Sequence, residues 1–172
     1  MRTIKFLVTV LIAVSALCSC RKIEKLPPVP RIEFTSFAVF DTIDILGNSA
    51  KGGRLKFYFE DGDGDLGLKT PSENQPDATN LFFTLFRKTN GDMVPSGDND
   101  PFKPSSYRIP YMERLGQNKI LKGTISVIFL YLFYSPGDTI KYDFYIQDRA
   151  LNESNIASTS EIIISVNDIY IK

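Results

Sequence analysis

The sequence predicts an all-β protein, an antiparallel β-sandwich of about seven strands that occupies residues 31–172. Apolar residues recur at every second position from Arg31 onwards, which is the period of a half-buried strand. Clusters of Gly, Pro, Asn and Asp, which favour turns, separate these runs. The region lacks the 3.6-residue period of an amphipathic helix. A chain of 172 residues that is 43% hydrophobic can bury one substantial core.

Each predicted strand follows from a local pattern. The first strand, at residues 32–39, changes phase near Ser36, which predicts a bulge. The sequence GNSAKGG predicts a loop, and residues 92–119 predict a long irregular segment because prolines interrupt it. Within that segment only YRIPYM resembles a strand. The loop is at residues 47–53, YRIPYM is at residues 107–112, and the remaining strands are predicted at residues 55–60, 81–86, 121–134, 140–147 and 162–166.

Residues 1–19 have the pattern of a secretory signal peptide and are excluded from the fold, because Arg2 and Lys5 precede a short apolar run at residues 6–17. The next residues, Leu17-Cys18-Ser19-Cys20, resemble the lipobox of bacterial lipoproteins. This resemblance implies cleavage before Cys20 and attachment of diacylglycerol to its thiol. Cys20 is therefore the predicted lipidation site, and a membrane is the first predicted partner. The alternative is a pair of ordinary cysteines at the end of the apolar run.

Cys20 and the residues that follow it, RKIEKLPPVP at 21–30, are predicted to form a tether, because Pro-rich segments favour an extended polyproline II conformation. We expect a lipid-anchored protein of the bacterial cell envelope, in the outer membrane. The periplasmic and the surface-facing sides both remain open. The formal net charge is +0, and no basic patch indicates a nucleic-acid partner.

The most informative stretch is DGDGDLG, which begins at Asp61 and follows the second strand. The glycines allow a turn tight enough for Asp61, Asp63 and Asp65 to face one point. A hard cation with oxygen ligands, above all Ca²⁺, would relieve the repulsion among three carboxylates. The alternative is a plain acidic turn between two strands. An EF-hand is rejected, because its sixth position would hold Leu66 and its twelfth would hold Ser72.

One sequence resemblance indicates a more specific kind of β-sandwich. The segment Asp138-x-Ile140-x-Tyr142-x-Phe144 resembles the start of strand F in immunoglobulin-like domains, with Phe144 in the place of the cysteine. It implies an immunoglobulin-like β-sandwich in which the Tyr142 hydroxyl binds backbone as a tyrosine corner. One aromatic residue among many in an alternating strand is the alternative.

The same assignment implies a site made of two loops. If residues 55–60, 81–86, 140–147 and 162–166 are strands B, C, F and G, the B–C and F–G loops lie at one end of the sandwich. The second loop begins at Asp148 and reads DRALNESN, so Asp148 and Asn152 become further candidate ligands.

The lipobox and the two loops together resemble small bacterial lipoproteins of uncharacterised function with one immunoglobulin-like or cadherin-like domain. DRALNESN is similar to the D-x-A-G-N-x-S turn of bacterial immunoglobulin-like modules. Leu151 stands where that turn carries Gly, which argues against a left-handed backbone there.

The sequence favours a binding module over an enzyme. The chain has no His, which excludes Ser-His-Asp and Cys-His catalysis and histidine zinc sites. A small hydrolase that uses carboxylates or a Ser/Lys pair, acting on glycans or peptides, is the alternative function. Phe82, Phe86 and Tyr145 are predicted to lie on the outer face of the C–F sheet as a contact surface for a protein or glycan. Because large exposed apolar patches are rare, coverage of these rings by residues 92–119 is the favoured alternative.

Overall fold

The computed structural model describes residues 25–72, 78–113 and 119–172, and these residues contain strands and no helix. The named strands pair only in antiparallel fashion and form two sheets, so the predicted antiparallel β-sandwich is confirmed. The strands are β1 (Arg31–Ile43), β2 (Ser49–Asp61), β3 (Leu81–Thr89), β4 (Asp92–Pro95), β5 (Leu121–Tyr131), β6 (Thr139–Ile146), β7 (Ala157–Ser158), β8 (Ile162–Ile163) and β9 (Asp168–Ile171).

The strand order accounts for which loops meet. The first sheet has the order β5-β2-β1-β9, and the second has the order β4-β3-β6-β7 with β8 also paired to β6. Strands β1, β2 and β5 correspond to A, B and E of the immunoglobulin sandwich, and β3 and β6 correspond to C and F. The B–C and F–G loops therefore emerge at one end, as the sequence predicts.

The core consists of the inward-facing side chains of both sheets. Phe37 and Phe57 of the first sheet and Tyr142 and Phe144 of the second are fully buried. The rings of Phe57 and Phe144 have centroids 5.1 Å apart, which joins the two sheets directly. Tilted and edge contacts of this kind add to the free energy gained by burying the rings.

The predicted bulge in β1 is confirmed by a register shift between Phe34 and Ser36. The inserted residue changes which positions face inward. Because of it, Phe34 before the bulge and Phe37 after it are both buried against the second sheet.

The loop predicted at residues 47–53 is wrong from Ser49 onwards, because β2 begins there. Gly52 lies in the strand opposite Phe40, whose ring atoms would be 2.5 Å from a Cβ at Gly52. Gly53 is covered in the same way by the rings of Phe37 and Tyr131, at 2.6 and 2.8 Å. The glycines leave space for aromatic rings from neighbouring strands and do not interrupt the strand.

The last strand, predicted at residues 162–166, is also wrong in its extent. Only Ile162 and Ile163 pair with β6, and Val166 is exposed. The chain then crosses to the first sheet, where β9 pairs with β1. Tyr170 stabilises this crossing, because it packs against the core and its hydroxyl bonds the backbone of Ile163.

The irregular segment predicted at residues 92–119 is wrong at its start, because Asp92–Pro95 form β4 and pair with β3. The chain after β4 closes one side of the sandwich. In its described part, Phe102 and Ile109 are buried in the core, and Tyr107 packs edge-on against Phe83. YRIPYM forms only isolated bridges, from Tyr107 to Leu81 and from Pro110 to Leu68, so it is not a regular strand. Strand β5 ends at Tyr131 and not at residue 134.

The Tyr142 hydroxyl bonds backbone as predicted, but its acceptor is not the carbonyl a few residues upstream that defines a tyrosine corner. The hydroxyl donates to the Phe102 carbonyl at 2.7 Å and lies 3.1 Å from the hydroxyl of Tyr131. The acceptor is 40 residues away in sequence, in the irregular segment. Tyr142 therefore fixes that segment to the core.

Candidate metal site

The loop DGDGDLG leaves β2 at the end of the sandwich where β1 begins. Leu66 anchors this loop because its side chain is fully buried in the core. Gly64 and Gly67 have φ angles of 67° and 94°, which glycine adopts without strain. A Cβ at Gly67 would also lie 2.5 Å from the carbonyl oxygen of Pro110, so glycine is required there for space as well.

Asp61 holds the backbone of its own loop. Its carboxylate accepts hydrogen bonds from the N–H of Leu66 at 2.7 Å and from the N–H of Gly64 at 3.3 Å. The residue is 0% exposed. Asp61 therefore forms the turn, as the plain-turn alternative requires, and it also brings a buried negative charge into the loop.

Asp63 and Asp65 bring further carboxylate oxygens to the same place. One oxygen from each of Asp61, Asp63 and Asp65 lies within 4.8 Å of the other two. Oxygens that share one Ca²⁺ at about 2.3–2.6 Å are separated by at most about 5 Å, so this spacing suits a single ion. Asp65 Oδ1 is buried and has no hydrogen-bond partner. A buried carboxylate oxygen without a partner is costly unless a cation occupies the space beside it.

The clustered charges raise the pKa values of two of these groups. Burial, with the hydrogen bond and charge of Asp63 and the charge of Asp65, raises the pKa of Asp61 to about 6, although the bond from the Leu66 N–H opposes the rise. Burial also raises the pKa of Asp65, and the charges of Asp148 and Asp63 act in the same direction. The loop therefore holds more negative charge than the protein alone neutralises.

The second loop lies against the first. Arg149 donates a hydrogen bond to the Gly67 carbonyl at 2.9 Å, and its guanidinium lies 5.1 Å from the centre of the Tyr111 ring. Asp148 is 2% exposed and lies close enough for its charge to raise the pKa of Asp65. Its carboxylate is outside the group of three that lies within 4.8 Å.

Asn152 interacts with Asp148 and not with the aspartates of the first loop. Its backbone N–H and its side-chain Nδ2 each donate to Asp148 at 2.8 Å. These bonds close the turn, and Leu151 within it has a φ of 67°. The expectation that Leu151 avoids a left-handed backbone is therefore wrong, because the bonds between Asp148 and Asn152 hold the turn without glycine.

Two polar residues that are not predicted from the sequence join the parts of this end. Asn155 bonds the N–H and the carbonyl of Ile32 at 2.9 and 3.0 Å, which attaches the second loop to β1. Asn80 is buried and bonds the Ile109 N–H at 2.7 Å and the Gln147 carbonyl at 3.1 Å. Single asparagines in polar segments carry no sequence signal that predicts such long-range bonds.

The end of the predicted tether also contacts the site. The N–H of Gly62 donates to the Pro27 carbonyl at 3.1 Å. A Cβ at Gly62 would lie 2.2 Å from that oxygen and 2.3 Å from the Leu26 carbonyl oxygen. Pro30 is buried. Part of the predicted tether therefore packs on the domain, which shortens the free spacer.

Phe82, Phe86 and Tyr145 lie on the outer face of the second sheet and are half-buried. Phe82 and Tyr145 stack with ring centroids 5.0 Å apart, and the ammonium group of Lys141 lies 5.3 Å from the centre of the Phe86 ring. The buried side chains of the irregular segment contact the inner side of β3, opposite these three rings.

Cys20, the predicted lipidation site, lies outside the described residues. The part of the chain that the structure describes contains no helix long and apolar enough to span a membrane. No protein-family model matches the sequence, and searches of curated proteins and solved structures found no significant similarity. The resemblance to immunoglobulin-like lipoproteins therefore stays a prediction.

Proposed function

We propose that this protein is a non-catalytic binding module of the bacterial cell envelope, attached to a membrane through lipid at Cys20 and stabilised by one Ca²⁺ ion. The observation that carries the calcium site is the convergence of three carboxylate oxygens within 4.8 Å beside the buried Asp65 Oδ1, which has no hydrogen-bond partner. This donor set is made only of oxygen and is rich in negative charge, as Ca²⁺ prefers.

Asp61, Asp63 and Asp65 would hold the ion, and Asp148 would add negative charge from the second loop. A bound Ca²⁺ would neutralise carboxylates that are otherwise costly to keep ionised in a buried loop. Because the ion would bind only the folded loop, it would stabilise the domain by RT ln(1 + [Ca²⁺]/Kd). Its role would be structural, at the end of the sandwich where β1 begins.

The calcium site is tested by thermal unfolding of residues 21–172, which include every described strand. We expect millimolar Ca²⁺ to raise the melting temperature of the chelated protein and Mg²⁺ to raise it much less, because Mg²⁺ demands a stricter octahedral shell. Asp63→Asn should lose most of the Ca²⁺ response. Asp92→Asn, an exposed aspartate on β4, is the matched control and should keep it. Equal melting curves with and without Ca²⁺ would reduce the loop to an acidic turn.

The lipid anchor has its own test. Wild-type protein expressed in a bacterial host should fractionate with the membranes, and its mass should include the lipid. Cys20→Ser should leave the signal peptide uncleaved by the lipoprotein pathway and abolish lipid incorporation. An unlipidated wild-type protein would refute the anchor and leave the calcium site untouched.

The binding partner is proposed to be a protein or a glycan that contacts Phe82, Phe86 and Tyr145. Half-buried aromatic rings that stack on one another offer a flat surface to sugar rings or to apolar side chains. Alanine substitutions at Phe82 and Tyr145 should abolish binding to that partner and leave the Ca²⁺ response unchanged.

A further inference from the structure

The outer face of the first sheet carries a patch of exposed aliphatic and basic side chains. We name as the basic-apolar patch the residues Arg54, Lys56, Ile128, Leu130, Ile169 and Ile171. Strand pairing places them side by side: Arg54 lies between Ile128 on β5 and Ala38 on β1, and Ala38 is in turn opposite Ile169 on β9. The four aliphatic side chains are largely exposed: Ile128 58%, Leu130 48%, Ile169 66% and Ile171 67%. Exposed apolar clusters of this kind indicate a contact surface.

The charge of this patch is of one sign. Gly52, Arg54 and Lys56 of β2 each have cross-strand partners on β1 and β5. None of these partners, nor the β9 residues paired with them, is acidic. The Arg54 guanidinium lies 5.3 Å from the centre of the Phe40 ring, and neither Arg54 nor Lys56 forms an ion pair with a described residue. The lysines just beyond the patch are neutralised, since Lys51 pairs with Asp41 and Lys172 with Glu33. The patch therefore presents two uncompensated cations among aliphatic side chains.

We propose that the basic-apolar patch rests on an anionic lipid surface. Cations attract the headgroups of anionic lipids, and aliphatic side chains around them enter the boundary between headgroups and acyl chains. A second copy of this chain is a poor occupant, because a two-fold contact would bring Arg54 and Lys56 of both copies together. A face that carries both cations and aliphatic side chains fits an anionic lipid surface better than it fits a second copy of the chain.

The position of the lipid anchor supports this occupant, and here the inference rests on the proposed lipidation of Cys20. Because Pro27 is bound to Gly62, only about six residues link Cys20 to the docked part of the chain, a reach of about 20 Å. Strand β1 has 13 residues and is about 43 Å long. A domain held so close to the bilayer can lie on its first sheet, and the anchor raises the effective concentration of lipid at the patch.

The experiment uses residues 21–172, which lack Cys20, with vesicles and a chelator, so that neither lipidation nor Ca²⁺ contributes. Co-sedimentation is measured with vesicles of phosphatidylcholine alone and of phosphatidylcholine mixed with phosphatidylglycerol. We expect binding to the anionic vesicles and little binding to the neutral ones. Arg54→Gln with Lys56→Gln should weaken binding about twenty-five-fold, at about five-fold for each cation near the surface.

The matched control is Lys88→Gln with Lys141→Gln, which removes the same charge from the outer face of the other sheet and should retain binding. Ile169→Ser with Ile171→Ser should also weaken binding, and unchanged melting curves would verify that these exposed substitutions leave the fold intact. If the Lys88/Lys141 variant loses as much vesicle binding as the Arg54/Lys56 variant, the attraction depends on net charge alone and the proposal is overturned. Failure of the wild-type protein to bind anionic vesicles would overturn it as well, without bearing on the calcium site or on Cys20.

Discussion

Lowering the pH from 7 to 5 in the presence of a chelator should stabilise this protein, because Asp61 is easier to protonate in the folded state than in the unfolded chain. Its pKa is raised from 3.8 to about 6 by burial and by its acidic neighbours. Between these two values the folded state binds more protons than the unfolded state, so the free energy of unfolding falls as the pH rises. The cost of keeping Asp61 ionised is fully present above pH 6.

The size of the effect follows from the two pKa values. The full shift corresponds to about 3 kcal/mol. Only part of this free energy is recovered at pH 5, because there the Asp61 carboxyl is mostly protonated in the folded state and still mostly ionised in the unfolded chain. The expected gain from pH 7 to pH 5 is about 1.4 kcal/mol, or about 3–6 °C in melting temperature for a chain of this size. This range avoids acid loss of surface pairs such as Asp41 with Lys51, whose hydrogen bond lowers the pKa of Asp41.

Thermal melts of residues 21–172 at pH 5, 6 and 7 with chelator measure this gain, and Asp61→Asn isolates it. The asparagine oxygen can still accept the hydrogen bond from the Leu66 N–H, but the amide side chain does not titrate between pH 5 and pH 7. The variant should lose the extra stability that the wild-type protein gains on acidification, and it should lose the Ca²⁺ response at pH 7. A wild-type protein whose stability is constant or rises from pH 5 to pH 7 in chelator would refute the reasoning about the buried charge.

Three further predictions concern the structure around the site. Tyr142→Phe should cost about 1–3 kcal/mol, because the buried Phe102 carbonyl loses its donor, whereas Tyr145→Phe, on the outer face, should cost little in denaturant unfolding. Gly62→Ala should increase proteolysis at residues 25–30, because its Cβ would collide with the Leu26 and Pro27 carbonyls; Gly97→Ala, with no atom within 4 Å of its Cβ, should not. Leu151→Gly should stabilise the chelated protein by about 0.5–1 kcal/mol by relieving a positive φ, and Leu151→Ala, which keeps that φ, should not.

The elements that the sequence predicts well are those whose signals are local. Alternation of apolar residues locates β1, β3 and β6, and the change of phase near Ser36 locates the bulge. Asn90-Gly91 is a dipeptide typical of two-residue hairpin turns, and it forms the turn between β3 and β4 with positive φ angles at both residues. The meeting of the two loops is not such a local signal, because it is predicted through the resemblance to an immunoglobulin-like strand order.

The elements that the sequence predicts poorly depend on distant residues. Gly52 and Gly53 have the composition of a loop, and only the rings of Phe40, Phe37 and Tyr131 explain why they lie in a strand. The crossing of β9 to the first sheet depends on the bond between Tyr170 and Ile163, which no local pattern indicates. The tether contact at Gly62 is equally non-local, since it joins residues 35 positions apart.

Turn formation and metal binding need not be alternatives for the acidic loop. Hydrogen bonds from Leu66 and Gly64 account for Asp61 as a turn residue, and they would remain if its carboxylate also faced an ion. They do not account for Asp65, whose buried Oδ1 has no hydrogen-bond partner. Burial and Asp148 raise the pKa of Asp65, although a backbone hydrogen bond from Ala150 and the charge of Arg149 oppose the rise. A protein that needed only the turn would be more stable with a neutral residue at position 65, because the loop would then lose a buried charge and keep its backbone bonds. Asp65→Asn should therefore stabilise the chelated protein and abolish the stability that the wild-type protein gains from Ca²⁺. A plain turn predicts no Ca²⁺ response in either protein.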